Sequence, residues 1–516
     1  MTLTTPHSVT SSLAWATAIA CLSTLQFGFH LAELNAPEAL LSCNFHRNGP
    51  LPTYEDTLWS QYGRKQCIPM SGTGIATITT MFTIGGFIAS VLVGSSELSS
   101  SVGRRSMSKL TSGIYFLGSI IMAVSNSFWL FNIGRFITGV AAGLSLVVSP
   151  IWVNELTPIN HRGLLGSCLQ LAVAMGILLA QLVGYLWSND QQWRNIFVFS
   201  ACIGLLQFVV LFTTIESPKW LIINRGDIHG AKRILKNLRT DHGAAEYEIN
   251  HWRRLSINVP SKPVNKNETS ALLADINNSS RVDVTDSFLP LTRTVSRRGS
   301  IDPTSITIGE FLTNKKFILE RTSVFAIMTG SQLCGINAIT FYGVRILKDI
   351  VPKGTNVLVI TCSLSVCNVI AAILVSPLVD KLGRKPLLLT SVGVMAFCSL
   401  TIALGLTHDW DYVVAGSSFG FIIGYSMGLA PIPFLMISEL ASHESLGSAQ
   451  SVGTALNWAS NVTVAFSFPI LQDLIGGYIF YGFFVICTSY AIFFYKFLPE
   501  TKGFHSAEEV WRNFKN

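Results

Sequence analysis

The residues with chemistry to offer in this chain are charges set at the edges of apolar stretches. Glu155 and Arg162 lie seven residues apart across a Thr157-Pro158 turn, directly after the apolar run that begins at Gly134. At helix depth in a bilayer a single uncompensated charge costs about 2.5 to 3.5 kcal/mol or more, so the two are expected to pair. The run itself carries Gly139, Ala142 and Gly143, small residues that let a neighbouring helix approach closely where lipid supplies no hydrophobic drive. No nucleophile with a base, no metal cluster and no phosphate loop is found in the sequence. An enzyme is therefore not expected, and no cofactor or metal is assigned.

Holding such groups in an apolar solvent requires spanning helices of about 20 residues. The chain has 516 residues, 49% hydrophobic and only 13% charged, against about 25% charged in soluble domains. Its apolar segments predict an all-α membrane protein of twelve transmembrane helices in two six-helix bundles. The expected organisation is a cytosolic N-terminal tail (1–12), a first bundle (13–215), a cytosolic linker (216–316), a second bundle (317–498) and a cytosolic C-terminal tail (499–516). Basic residues collect after the even-numbered spans, at Arg104, Arg105, Lys109, Lys381, Arg384 and Lys385, which puts both termini in the cytosol. The net charge of +7 follows from that topology. No nucleic-acid partner is expected; the lipid bilayer is the surrounding medium, and a monomer is the expected state. No cleavable signal peptide is evident.

Within the linker, Ser217 to Arg239 has helical periodicity with Trp220, Leu221, Ile234, Leu235 and Leu238 on one side, predicting short helices against the membrane face. Residues 260–303 are too poor in apolar groups to offset chain entropy and are expected to be disordered. Arg297-Arg298-Gly299-Ser300 resembles a basophilic kinase site, and a merely basic linker is the competing reading. The sequons at Asn267 and Asn278 fall on the cytosolic side, which argues against their use. Cys43 and Cys67 lie in the polar stretch after the first span and are a candidate disulfide if that loop faces an oxidising lumen or the exterior.

The chain repeats itself. Gly103-Arg104-Arg105 returns as Gly383-Arg384-Lys385 280 residues later, and Glu155 and Glu216 return as Glu439 and Glu500, each 284 residues on. Charged clusters at corresponding helix ends of two halves predict a duplicated bundle with a ligand site near the midplane between them. With Val379-Asp380-Lys381-Leu382, Gly134-Arg135-Phe136, Glu216-Ser217-Pro218-Lys219, Gln332-Leu333-Cys334-Gly335-Ile336-Asn337, Pro431-Ile432-Pro433, Asn457-Trp458 and Pro499-Glu500-Thr501-Lys502-Gly503 in this order, the chain resembles the sugar porter family of major-facilitator transporters. Phe29 to Pro37 gives it a fungal flavour.

The resemblance implies a pocket for a sugar or polyol, built from Gln170, Gln332, Asn337, Asn368, Asn457 and Asn461, with Phe434 where the family often has Trp. Ser331 stands for a family Gln and Ser426 for a family Glu, so each shortens a polar arm. Paired donors and acceptors in an apolar frame suit a ring of hydroxyls; the competing reading of any one amide is a helix-to-helix hydrogen bond. The resemblance also implies a cytosolic ion-pair latch of Arg104, Arg105, Glu155, Arg162, Glu216, Asp380, Arg384, Lys385, Glu439 and Glu500. It departs from the family at Ser100, Ser101 and Leu446.

Proton-coupled members carry an Asp in the first span facing an Arg in the fourth, and facilitators an Asn. Here the position is His30, with Arg135 retained and Glu33 nearby. An imidazole exchanges protons near physiological pH, so coupling of a proton through His30 and Glu33 stands beside a neutral, structurally bonded His30. Three functions compete: a sugar or polyol transporter, as facilitator or proton symporter; a transporter of another small organic molecule such as inositol or quinate; and a nutrient sensor without useful flux, disfavoured because only sixteen residues follow Glu500. Plasma membrane and a vacuolar or other internal membrane remain equal alternatives.

Overall fold

The structure is a computed structural model that describes residues 9–43, 54–95, 102–158, 161–239, 242–257, 306–348, 356–442, 444–504 and 507–515. Among the described residues, ten helical stretches are long and apolar enough to cross a bilayer; the last of them contains two spans, and Arg194–Val210 is a shorter apolar helix, giving the twelve expected spans. Spans one to six are Ser11–Ala32, Gly72–Ser95, Arg104–Val124, Phe128–Leu156, Arg162–Trp187 and Arg194–Val210. The eighth, ninth, eleventh and twelfth are Val357–Leu382, Arg384–Thr407, Leu446–Ile475 and Ile479–Phe497.

The seventh and tenth spans are broken, for different local reasons. The seventh divides into Ile318–Leu333 and Ile336–Lys348 at Gly335, whose φ of +96° lies in the region that only glycine enters freely. The tenth divides into Asp411–Met427 and Ile432–Leu440 around Pro431 and Pro433, which have no backbone N–H to continue a helical ladder.

Small residues set the helix spacing, as the sequence suggested. A Cβ on Gly139 of the fourth span would run into the backbone carbonyl of Phe82 on the second. The two halves meet along the second and eleventh spans and along the fifth and eighth. Trp458 of the eleventh span covers Gly86 of the second, with the rings of Phe27 and Phe82 edge-on at 6.0 and 6.4 Å. Ser376 donates to Ser167 at 2.8 Å across the fifth and eighth spans.

One face of the molecule, here the linker face, carries the helices Ile228–Leu238 and His242–Ile257. Leu235 and Leu238 are buried, and Arg239 donates to the Leu156 carbonyl at 2.8 Å while pairing with Glu248 at 2.9 Å. On the same face the terminal helix Ala507–Lys515 is docked by Trp511, whose indole donates to the Leu440 carbonyl at 2.8 Å. The opposite face holds the loop after the first span, where Cys43 and Cys67 are joined by a disulfide, as the sequence allowed. The Ser300 motif, both sequons and residues 260–303 lie outside the described residues.

Candidate substrate-binding site

The break at Gly335 places Gln332 in the last turn of the first piece of the seventh span and Asn337 in the first turn of the second, so the two amides come together across it. Asn337 Nδ2 donates to the Gln332 side-chain oxygen Oε1. The Gln332 amide donates to Asn457 at 3.3 Å, and Asn457 in turn donates to Ser331 at 2.8 Å. Ser331, Asn457, Gln332 and Asn337 thus form one chain of hydrogen bonds between the seventh and eleventh spans. Ser426 donates to Asn368 at 2.6 Å, so its short hydroxyl holds an amide that itself lines the cavity.

These groups surround a cavity of about 120 Å³ between the two halves, well above the roughly 10 to 15 Å³ that admits one water. Gln170, Ser331, Gln332, Asn337, Asn368, Phe434, Asn457 and Asn461 all line it, while Ser426 stands behind Asn368. The sequence reading missed Asn35, Gln181, Thr340, Thr361, Ser365 and Tyr425, which line it as well. Nothing in a single sequence separates these from the many other polar residues in the spans; the fold brings them in. Gln181 and Asn461 each keep a buried side-chain oxygen without a protein partner, which leaves acceptors for a bound hydroxyl. Among the described residues, no Asp, Glu, Lys, Arg or His lines the cavity.

The trio of Glu33, Arg135 and His30 in the first half lies apart from it. The Glu33 carboxylate accepts from Arg135 at 2.7 Å and contacts His30 Nδ1 at 2.9 Å, and Arg135 also donates to the His30 carbonyl at 3.0 Å. His30 Nε2 meets the Ser200 hydroxyl at 3.2 Å, and the ring stacks on Tyr115 with centroids 4.9 Å apart. All three charged or titratable side chains are buried. The three residues named from the sequence meet, but none of them lines the cavity: Phe27 and Leu31 of the first span, and Asn35 just past it, do so instead.

On the linker face the repeat appears as repeated geometry. Arg104 grips Glu155 through two nitrogens at 3.0 and 3.1 Å, and Arg384 grips Glu439 at 2.9 and 3.1 Å. Both pairs close within one half. Glu155 is thus held by Arg104; the side chain of Arg162, its expected partner, lies outside the described residues together with that of Asp380 and with Ser100 and Ser101. Glu216 and Glu500 receive backbone N–H groups at the starts of the third and ninth spans. Arg105 departs from expectation: its guanidinium donates to the carbonyls of Leu211 and Phe212, both at 2.9 Å, closing the end of the sixth span instead of pairing with an acid. Lys385 likewise donates to the Tyr495 carbonyl at 2.9 Å. Thr501, which the sequence reading left out of the latch, donates to Glu439. Leu446 begins the eleventh span without a charge to add.

Twelve spans in two like halves, enclosing a polar but uncharged cavity, define the major-facilitator fold. The family model for "Sugar (and other) transporter" matches residues 16–514, and the chain belongs to that family. It is 32% identical over 508 residues to a probable metabolite transport protein of Saccharomyces cerevisiae, covering 98% of this chain and 96% of the relative. It is also 32% identical over 508 residues to solute carrier family 2, facilitated glucose transporter member 5 of Pongo abelii, covering 96% and 90%. Among solved structures it is similar to the proton:xylose symporter XylE bound to 6-bromo-6-deoxy-D-glucose, with TM-score 0.69 and 22% identity over 98% of this chain and 99% of the other. That last likeness is one of fold.

Proposed function

We propose that this protein carries a neutral, many-hydroxylated solute, a hexose, a pentose or a polyol, across a membrane by alternating access of the central cavity, with the linker face in the cytosol. The observation that carries the reading is the cavity lining: carboxamides and hydroxyls from both halves, two of them with unpartnered oxygens, and no charged side chain. Burying a carboxylate without a cation is strongly unfavourable, so this lining argues against quinate and other organic anions and leaves inositol as the surviving non-sugar alternative. The relative bearing glucose in its name supports the same class.

Gln170, Gln332, Asn337, Asn368, Asn457 and Asn461 are assigned to hydroxyl recognition, with Phe434 and Trp458 as apolar walls and Ser331 and Ser426 as holders of Asn457 and Asn368. The Arg104–Glu155 and Arg384–Glu439 pairs lock helix ends within each half, so that the halves move as rigid bodies. Facilitated transport is the first reading, because His30 has a partner for each ring nitrogen. Proton symport is the second, favoured by one observation: Glu33 keeps a buried carboxylate oxygen without a hydrogen-bond partner beside Arg135.

Reconstitution in liposomes, with uptake of labelled D-glucose, D-fructose, D-xylose, sorbitol and myo-inositol measured with and without a pH gradient, tests all of this. Saturable uptake of at least one is expected. Absence of saturable uptake for every one of them overturns the proposal.

A further inference from the structure

Among the described residues, Asn35 is the one amide that lines both the central cavity and a second cavity, of about 330 Å³, which opens beyond it on the disulfide face. It stands just past the first span and is 2% exposed. Facing it is the second piece of the seventh span, where the backbone leaves helical values at Tyr342 (φ −125°, ψ 17°). Two residues on, Val344 N–H donates to Asn35 Oδ1 at 2.9 Å. This hydrogen bond crosses from the first half to the second. The Asn35 amide nitrogen lies over Gly343, 3.5 Å from where a Cβ would be, and Gly343 is itself part of the cavity lining.

The next residue completes a clasp. Arg345 pairs with Asp473 of the eleventh span and faces Glu38, just after Asn35 in the chain, at 3.8 Å. Asp473 in turn lies against Gly72 at the start of the second span, 2.9 Å from a Cβ built there. The end of the first span, the second piece of the seventh and the eleventh are therefore joined by polar contacts between the cavity and the disulfide face, with the start of the second span packed against Asp473.

We infer that Asn35 is a positioning residue that couples occupancy of the cavity to closure of the disulfide-face door: its oxygen caps the interrupted seventh span while its amide nitrogen donates to a solute hydroxyl. The inference rests on the transport reading for its solute and on the Asn35–Val344 contact for its door. An amide in this place does what no aliphatic residue could, because oxygen and nitrogen sit on one rigid plane, so a ligand pulling on one sets the other. A ligand shifts a conformational balance only by binding the two states differently, and the amide nitrogen supplies that difference.

The test places a reporter thiol at Ile75→Cys, a buried residue lining the outer cavity, in the full chain in lipid nanodiscs, which leave both faces open to a membrane-impermeant maleimide. The chain without the reporter gives the background. D-glucose, D-fructose and D-xylose, each at saturation, are expected to slow labelling for whichever is transported. Asn35→Ser, too short to reach Val344, is expected to raise the sugar-free rate about five-fold or more and to abolish the sugar effect. Arg345→Gln is expected to raise the rate while keeping the sugar effect, since the amide remains. Asn35→Asp, which retains an acceptor for Val344 but no donor, is expected to keep the parental sugar-free rate and lose the sugar effect. Parental labelling in Asn35→Ser, or a sugar effect surviving in Asn35→Asp, overturns the inference. If the parent takes up none of the sugars, the transport reading falls, and the sugar-free rates of parent and Asn35→Ser still decide the cap.

Discussion

Glu216 and Glu500, 284 residues apart in the chain, make the same contact: Glu216 accepts the N–H of Arg105 at 3.0 Å, and Glu500 accepts the N–H of Lys385 at 3.0 Å. Each places a carboxylate at the positive end of a spanning helix, the third and the ninth, where the first N–H groups have no partner in the helix itself. Each also fills the space in front of a glycine. A Cβ on Gly103 would collide with the Glu216 carboxylate, and one on Gly383 would lie 2.8 Å from the Glu500 oxygen.

Gly383→Ala is expected to destabilise the protein more than Gly103→Ala, because Gly383 also has φ +99° whereas Gly103 has φ −62°. Backbone strain of this kind costs about 1 to 3 kcal/mol. Thermal melting of the two variants in detergent, compared with the parent, checks the order. Equal melting temperatures would remove the conformational argument.

Removing one member of the Glu33–Arg135 pair should cost far more than removing both. Breaking a buried pair from one side leaves an uncompensated charge, at about 3 to 5 kcal/mol. Glu33→Gln and Arg135→Gln are each expected to lose most folded protein on size-exclusion chromatography, and the double variant to recover much of it. A double variant no better than the worse single one would show that the pair is not the source of the loss.

His30→Asn is expected to preserve the parental ratio of uptake at pH 5 to uptake at pH 8. The ring already has Glu33 on one nitrogen and Ser200 on the other, and it faces away from the cavity. A ratio that moves toward unity in the variant would instead make His30 part of a proton-coupled cycle.

Gln332→Leu is expected to raise KM about ten-fold or more, the equivalent of some 1.4 kcal/mol, with folded yield unchanged. It removes a cavity amide and interrupts the chain through Asn337 and Asn457. Ser426→Ala, which only frees Asn368, should raise KM about two- to three-fold, as expected for loss of a single neutral hydrogen bond. Uptake kinetics in proteoliposomes read both. A larger effect at Ser426 than at Gln332 would reverse the assignment of which residue contacts the solute.

The sequence by itself determined the spans, their number and the duplication, because apolar runs of bilayer length and charges at helix ends are local properties that survive whatever the helices pack against. Its resemblance to the sugar porters named the amides on both sides of Gly335, which line the cavity, and the two cysteines of the polar stretch after the first span were a candidate pair, which is bonded. Tertiary structure alone decided which face of each helix looks into the cavity. The segment from His30 to Asn35, at and just past the end of the first span, has polar residues on more than one side: Asn35 looks toward the cavity, while His30 and Glu33 turn to Arg135 and Ser200. Arg105, expected to meet an acid, closes a helix end instead because the sixth span finishes beside it. These outcomes depend on residues dozens to hundreds of positions apart, and buried polar groups take the partners that packing delivers to them.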